Sequence, residues 1–253
     1  MSLFDSAAFN ERLFFPRGDV TPPPDGAEDD FIEVGGASLH VRYHGISPGG
    51  GERRTLLLFH GNGEVVGDYD DAAGLFAAAG FGLAVVDYRG YGQSTGSPTL
   101  RSAIEDAHVI LGAVHAVAAA PLVVMGRSLG SSCAADLYGR DLPIVAGVVI
   151  ESGLADLAGL VRRRGLEAPA AFSDEERALF DPLPKLARGT GPLLVMHGER
   201  DTMIAPSEAQ TAFAAAGTTQ KKLVIVPGRG HNDVSRARVY WDALAAFGAS
   251  LPR

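Results

Sequence analysis

Pro121-Leu122-Val123-Val124-Met125-Gly126-Arg127-Ser128-Leu129-Gly130, followed by Ser131-Ser132-Cys133-Ala134-Ala135, is the stretch that decides how this chain folds. An apolar run enters a Gly-x-Ser-x-Gly turn without a break, and small residues carry on as a helix. A strand that is apolar on both faces belongs inside a sheet covered on both sides. A sharp strand-to-helix turn tolerates only small neighbours and holds its serine in a strained conformation that lifts the hydroxyl above the sheet. The pattern by itself is weak in a chain with 32 glycines, and it occurs a second time at Gly92 to Gly96. Ser94 in that copy is separated from its strand by Tyr88-Arg89-Gly90-Tyr91-Gly92 and is followed by Pro98, so it reads as a turn residue.

Outward from this turn the chain alternates apolar runs with amphipathic stretches. The runs are Thr55 to Phe59, Phe81 to Val86, Pro121 to Met125, Ile144 to Ile150, Pro192 to Met196 and Lys222 to Val226; the helical stretches include Tyr69 to Ala79, Thr99 to Ala119, Ser207 to Ala216 and Ser235 to Ala249. A hairpin, Phe31 to Val34 and Leu39 to Tyr43 around Gly35-Gly36, precedes them. The pattern predicts an α/β fold: a mostly parallel sheet of about eight strands with helices on both faces. Residues 1–253 read as a single domain, with residues 1–30, rich in Pro, Gly and Asp from Arg17 onward, as an N-terminal tether.

In such sheets ligands bind beyond the carboxyl ends of the strands. A serine hydroxyl becomes a useful nucleophile when an imidazole takes its proton and a third group orients that imidazole. With an elbow of this kind the chain order is Ser, acid, His. Of seven histidines only His197 and His231 follow Ser128. His197 ends a strand and reads as packed, whereas His231 lies in the loop Gly228-Arg229-Gly230-His231-Asn232-Asp233 after the last strand. The candidate base is therefore His231. The candidate acid is Asp201, just past Pro192 to Met196, with Glu151 or Asp156 as runners-up and Glu199 as a solvated neighbour.

Bulk properties narrow the function. A formal charge of −8 argues against a protein built for nucleic acid or an anionic membrane surface and favours a small-molecule substrate that is neutral or hidden in a pocket. With one cysteine, Cys133, no internal disulfide forms, and the residue reads as packing. There is no basic start followed by an apolar run and no apolar stretch long enough for a membrane span, which predicts a soluble, cytoplasmic protein. The chemistry calls for no metal and no organic cofactor.

With these residues in hand, the chain resembles the α/β-hydrolase superfamily, and is similar to the branch holding serine aminopeptidase-like hydrolases, monoacylglycerol lipases and protein depalmitoylases. The motifs are His60-Gly61-Asn62-Gly63, Asp87-Tyr88-Arg89-Gly90-Tyr91-Gly92, Gly126 to Gly130, His197-Gly198-Glu199-Arg200-Asp201 and Gly230-His231, spread over nearly everything from Phe31 onward. The resemblance implies that the backbone N–H groups of Asn62 and Leu129 form an oxyanion hole, that Asp87 to Gly92 is a structural turn and that His60 holds a loop. It also implies a small cap over residues 154–191. Leu154 to Arg164 looks helical and Ser173-Asp174-Glu175-Glu176 has capping-box form, so two short helices over the pocket mouth are expected. The run Arg162-Arg163-Arg164 reads as solvated surface, with recognition of an anionic substrate group as its functional alternative.

The expected activity is that of a carboxylesterase-like serine hydrolase, cleaving esters or thioesters of short to medium acyl chains through an acyl-enzyme on Ser128. A serine aminopeptidase-like peptidase is the first alternative and would need Glu64, Glu151 or Glu167 at the pocket to hold a substrate amine. A non-catalytic binding protein on a hydrolase scaffold is the second. Oligomeric state is not legible here.

Overall fold

A computed structural model describes residues 2–46, 49 and 53–252. The strands are β1 (Ala27–Val34), β2 (Ala37–His44), β3 (Arg54–Phe59), β4 (Phe81–Val86), β5 (Leu122–Arg127), β6 (Val145–Glu151), β7 (Leu193–Gly198) and β8 (Lys221–Val226). They form one eight-stranded sheet in the order β1-β2-β4-β3-β5-β6-β7-β8. The β1–β2 hairpin and the β2–β4 pair are antiparallel, and every pairing from β4 across to β8 is parallel. The six apolar runs become β3 to β8; β3 to β7 lie inside the sheet, buried on both faces and apolar through their middles, whereas β8 at the edge is only partly buried and begins with Lys221 and Lys222.

The helices are α1 (Ala7–Leu13), α2 (Ala73–Ala78), α3 (Leu100–Ala118), α4 (Ser131–Tyr138), α5 (Leu157–Arg163), α6 (Asp174–Phe180), α7 (Pro182–Arg188), α8 (Pro206–Ala215) and α9 (Arg238–Ser250). Alternate residues of a strand face opposite sides, so Leu57 and Phe59 join one buried layer while Leu56 and Leu58 join the other. The first layer packs under α1, α3, α4 and α8, and the second under α2 and α9. Helix α3 begins where the Thr99 hydroxyl accepts the Ser102 N–H, and it buries Leu100, Ala103, Ile104, Ala107, Ile110, Leu111 and Val114. Those positions make a single stripe at helical spacing.

Two expectations change. The first thirty residues do not run as a tether. Ser6 caps α1, and Phe4, Phe9, Leu13 and Phe14 are all buried. Phe4 packs edge-on to Phe9 at 5.0 Å between ring centroids and lies 4.6 Å from Phe180. The polar stretch Ala27-Glu28-Asp29-Asp30 then pairs with β2 as the start of β1, leaving an exposed surface run only from Phe15 to Gly26, in which Asp19 alone is partly shielded. Residues 154–191, expected as a small cap of two helices over the pocket mouth, hold three. Helix α6, capped by Ser173 as its sequence predicts, turns to the N-terminal segment, where the Ser2 hydroxyl donates to Glu176 at 2.7 Å. It does not roof the pocket.

Candidate active site

Ser128 follows the last residue of β5 with φ of 51°, a left-handed conformation that a serine rarely adopts. The two flanking glycines are needed for space. A Cβ on Gly126 would overlap the Gly130 carbonyl, and one on Gly130 would overlap the Phe59 carbonyl of β3. The turn can therefore pack against its neighbouring strand only without side chains there, and α4 starts at once behind it.

The structure brings Ser128, His231 and Asp201 together from three strand ends. Ser128 Oγ donates to His231 Nε2 at 2.9 Å, and His231 Nδ1 donates to Asp201 Oδ2 at 2.7 Å. Asp201 Oδ1 accepts the N–H groups of Met203 and Ile204, both at 2.9 Å. Burial alone would raise the Asp201 carboxyl, but the hydrogen bonds from His197, His231 and the Ile204 N–H hold it well below the usual carboxylate range. It is a fixed negative charge aimed at the imidazole.

His197 is fully buried, with Nε2 at 3.0 Å from Asp201 Oδ2 and 2.9 Å from the Ile204 carbonyl. It is packed, as its sequence position suggests, and it also steadies the acid. The other candidates lie elsewhere. Glu151 accepts from the Tyr240 hydroxyl at 2.7 Å and faces Arg127; burial pushes its carboxyl up. Asp156 caps α5 through Gly159 and pairs with Arg162, and Glu199 accepts the Gly228 N–H. The Ser94 hydroxyl is buried, accepting from the His40 N–H and donating to the Asp87 carbonyl. Cys133 is buried in α4 against the Ala103 carbonyl, and burial pushes its thiol far up.

Some residues at the site were not singled out by sequence. Arg127, inside the elbow motif, is buried with its Nη2 donating to Asn232 Oδ1 at 2.6 Å and to the His231 carbonyl at 3.3 Å. Its Nη1 meets Glu64 at 2.5 Å, and Glu64 accepts the Gly61 N–H at 2.7 Å. One guanidinium thus ties the serine turn, the histidine loop and the Gly61-Asn62-Gly63 loop into a unit. The side chain of Asn62 is fastened to the N-terminal segment, accepting from the Phe15 N–H at 3.0 Å and the Tyr91 hydroxyl at 2.6 Å and donating to the Leu13 carbonyl. A charged residue at the end of a fully apolar strand is the one signal that pointed to Arg127.

Asp87 sits between two imidazoles, with His40 Nδ1 at 3.1 Å and His60 Nε2 at 3.3 Å, and accepts the Val66 N–H. The Asp87 to Gly92 turn is thereby packed under the site. A cavity of about 210 Å³ opens beside Ser128, lined by Leu129, Leu154, Arg163, Arg164, Met203, Ile204 and His231. Among the described residues no cluster of His, Cys, Asp and Glu could hold a metal ion, and no helix is long and apolar enough to cross a membrane.

Comparison with known proteins agrees with this architecture. Residues 50–172 match a family model described as serine aminopeptidase, S33. The uncharacterized protein Rv2307c of Mycobacterium tuberculosis is 32% identical over 208 residues, covering 78% of this chain and 70% of that protein. Alpha/beta hydrolase domain-containing protein 17B of Homo sapiens is 30% identical over 201 residues, 76% of this chain and 65% of the human protein. Among solved structures, the Pyrococcus furiosus esterase Pf2001 superposes with a TM-score of 0.74 at 16% identity, covering 94% of this chain and 98% of the esterase, a likeness of fold. From its elbow, its sheet order and these relatives, the chain belongs to the α/β-hydrolase superfamily.

Proposed function

We propose that this protein is a serine hydrolase that cleaves carboxylic esters or thioesters of short to medium acyl chains through an acyl-enzyme. The observation that carries the reading is the unbroken relay Ser128 Oγ to His231 Nε2 at 2.9 Å and His231 Nδ1 to Asp201 at 2.7 Å, opening onto the cavity. With the Nδ1–H held in its hydrogen bond to ionised Asp201, Nε2 accepts the serine proton as Oγ attacks the carbonyl carbon. The resulting imidazolium, stabilised by Asp201, returns that proton to the departing alcohol or thiol. Water then repeats the sequence on the acyl-serine.

The developing oxyanion needs donors fixed in advance, and the backbone N–H groups of Asn62 and Leu129 are assigned to it. Leu129 begins the turn into α4, where backbone N–H groups have no intrahelical acceptor. Losing one such donor costs on the order of a hundredfold in rate or more. The peptidase alternative is weaker because none of Glu64, Glu151 and Glu167 lines the cavity, whose charged residues are Arg163 and Arg164. That lining repels a substrate ammonium.

The test is labelling with a fluorophosphonate, tryptic mapping of the adduct, and turnover of 4-nitrophenyl butyrate and aminoacyl amides. Label on Ser128 that is lost in His231→Ala, with ester turnover lost in Ser128→Ala, is the expected result. Full esterase activity in Ser128→Ala would sink the reading. Turnover of aminoacyl amides without esters would move it to the peptidase, and folded protein that takes no label would move it to a binding role.

A further inference from the structure

Arg162, Arg163 and Arg164 are adjacent in sequence but meet three different fates. The side chain of Arg162 is largely exposed and pairs with Asp156 at 3.0 Å. Arg163 borders the cavity, yet Glu208 takes its charge, at 2.6 Å and 3.4 Å. Glu208 is itself anchored by the N–H groups of Ala155 and Asp156, so Arg163 is held in place and neutralised. Arg164 also borders the cavity with Ser128 and His231, and among the described residues no carboxylate lies within ion-pair distance of it. Its Nε is buried without a hydrogen-bond acceptor. Its guanidinium rests 6.0 Å from the centre of the Phe15 ring.

A buried donor without a partner destabilises the protein, and a guanidinium at a cavity wall with no counter-ion gains charge-assisted hydrogen bonds when a ligand brings an anion there. Burial and the nearby Arg163 charge both lower the Arg164 pKa, as expected of a cation short of a counter-ion. The remaining lining, Leu129, Leu154, Met203 and Ile204, is apolar. The combination suits a short apolar chain with a negative charge on it. The overall charge of −8 does not prevent this, since salt screens distant charges within about 10 Å while a guanidinium in the cavity acts at contact.

We propose that Arg164 receives an anionic group, a carboxylate or a phosphate, on the ester bound at Ser128, so that the preferred substrates carry a negative charge near the scissile bond. This rests on the ester-hydrolase reading above, and the test separates the two.

Binding is measured by calorimetry on Ser128→Ala protein, with monomethyl glutarate against methyl valerate for a carboxylate, and 2-(butyryloxy)ethyl phosphate against 2-(butyryloxy)ethanol for a phosphate. Charge-assisted hydrogen bonds from a guanidinium predict at least about tenfold tighter binding of one or both anionic esters. The pair showing the larger ratio identifies the anion. The ratio should collapse toward one when Arg164→Gln is added, survive in part with Arg164→Lys, and stay unchanged with Arg162→Gln, each variant being checked by near-ultraviolet circular dichroism. Equal binding of charged and neutral esters to protein retaining Arg164 would overturn the proposal, as would a preference that persists in a folded Arg164→Gln protein. Turnover by the protein with Ser128 in place is scored separately. No turnover of any ester, with the binding preference intact, would remove the hydrolase reading and leave the anion site standing.

Discussion

Replacing Arg127 with methionine leaves a side chain of similar length and takes away the charge that joins three loops. In the wild-type protein the guanidinium is one-tenth exposed and Glu64 about one-quarter, 2.5 Å apart. Breaking a pair buried to this degree from one side costs about 3–5 kcal/mol, because the remaining carboxylate stays desolvated without its partner. Here Glu151, 3.7 Å from the same guanidinium, is stranded as well. For a chain of this size that corresponds to a fall in melting temperature of about 6–20 °C. The hydrogen bonds to Asn232 and the His231 carbonyl go with it, so the imidazole is less well placed and kcat should fall more than KM rises. The double variant Arg127→Met/Glu64→Gln separates the two effects. Glutamine can still accept the Gly61 N–H without holding a stranded charge, so the double variant should regain at least about 1 kcal/mol of stability over the single one while activity stays low. Urea denaturation and ester turnover measured on the same preparations provide the assay. An Arg127→Met protein within 1 kcal/mol of wild type and fully active would refute the argument that this guanidinium holds the loops together.

The elbow and α3 supply a matched pair of glycine variants. Gly130→Ala, whose Cβ would overlap the Phe59 carbonyl, should lower ester turnover at least about a hundredfold through displacement of Leu129, whereas exposed Gly112, with nothing within 4 Å, should gain up to about 1 kcal/mol as alanine in a helix. Phe4→Ala should destabilise by about 3–5 kcal/mol, measured by urea denaturation, since the ring is fully buried against Phe9 and Phe180. The Asp87 cluster predicts a pH profile. Burial acts against both charges, but the Asp87–His40 contact with help from His60 and Asp29 leaves Asp87 lowered and His40 raised. The lowered Asp87 stabilises above its unfolded value near 4 and loses that contribution as pH falls, and the raised His40 stabilises fully below about 6.5 and loses it as pH rises through its folded value. The urea midpoint contributed by this cluster should therefore peak between about pH 4 and 6.5, and His40→Asn should flatten the fall on the alkaline side.

The inner parallel strands β3 to β7 were legible because burial on both faces leaves little room for polar residues, so each appears as an apolar run, and edge strand β8 was legible from Leu223 to Val226 after its two lysines. Ser128, Asp201 and His231 could be named from chain order and loop position, although sequence offers no distances between them. The edge hid more. Glu28, Asp29 and Asp30 do not look like a strand, yet Asp29 meets buried Arg42 at 2.7 Å from the neighbouring strand, a pairing set by tertiary register. Helix α1 left a faint trace, Ser6 as a cap with Phe9 and Leu13 four apart, but seven residues form too short a helix to be recognised without the surface it docks on. The three fates of the arginine run could not be told apart in the sequence, because what separates Arg163 from its neighbours is Glu208, which is far along the chain.

The docked N-terminal segment sets an order of events in synthesis. Phe4 and Asn10 leave the ribosome early, but Leu100, whose N–H Asn10 accepts, and Glu176 and Phe180, which meet Ser2 and Phe4, are made much later. At about 5–20 residues per second the segment waits roughly 10–35 s for its last partners. During that interval its aromatic side chains have no native surface to cover them. The loop bearing Asn62 lacks its brace over Leu13 and Phe15 for as long as they are unplaced. A nascent chain of this protein can thus have six of its eight strands synthesised before the N-terminal segment meets its last partners, and the brace on the Asn62 loop is completed only when that segment docks.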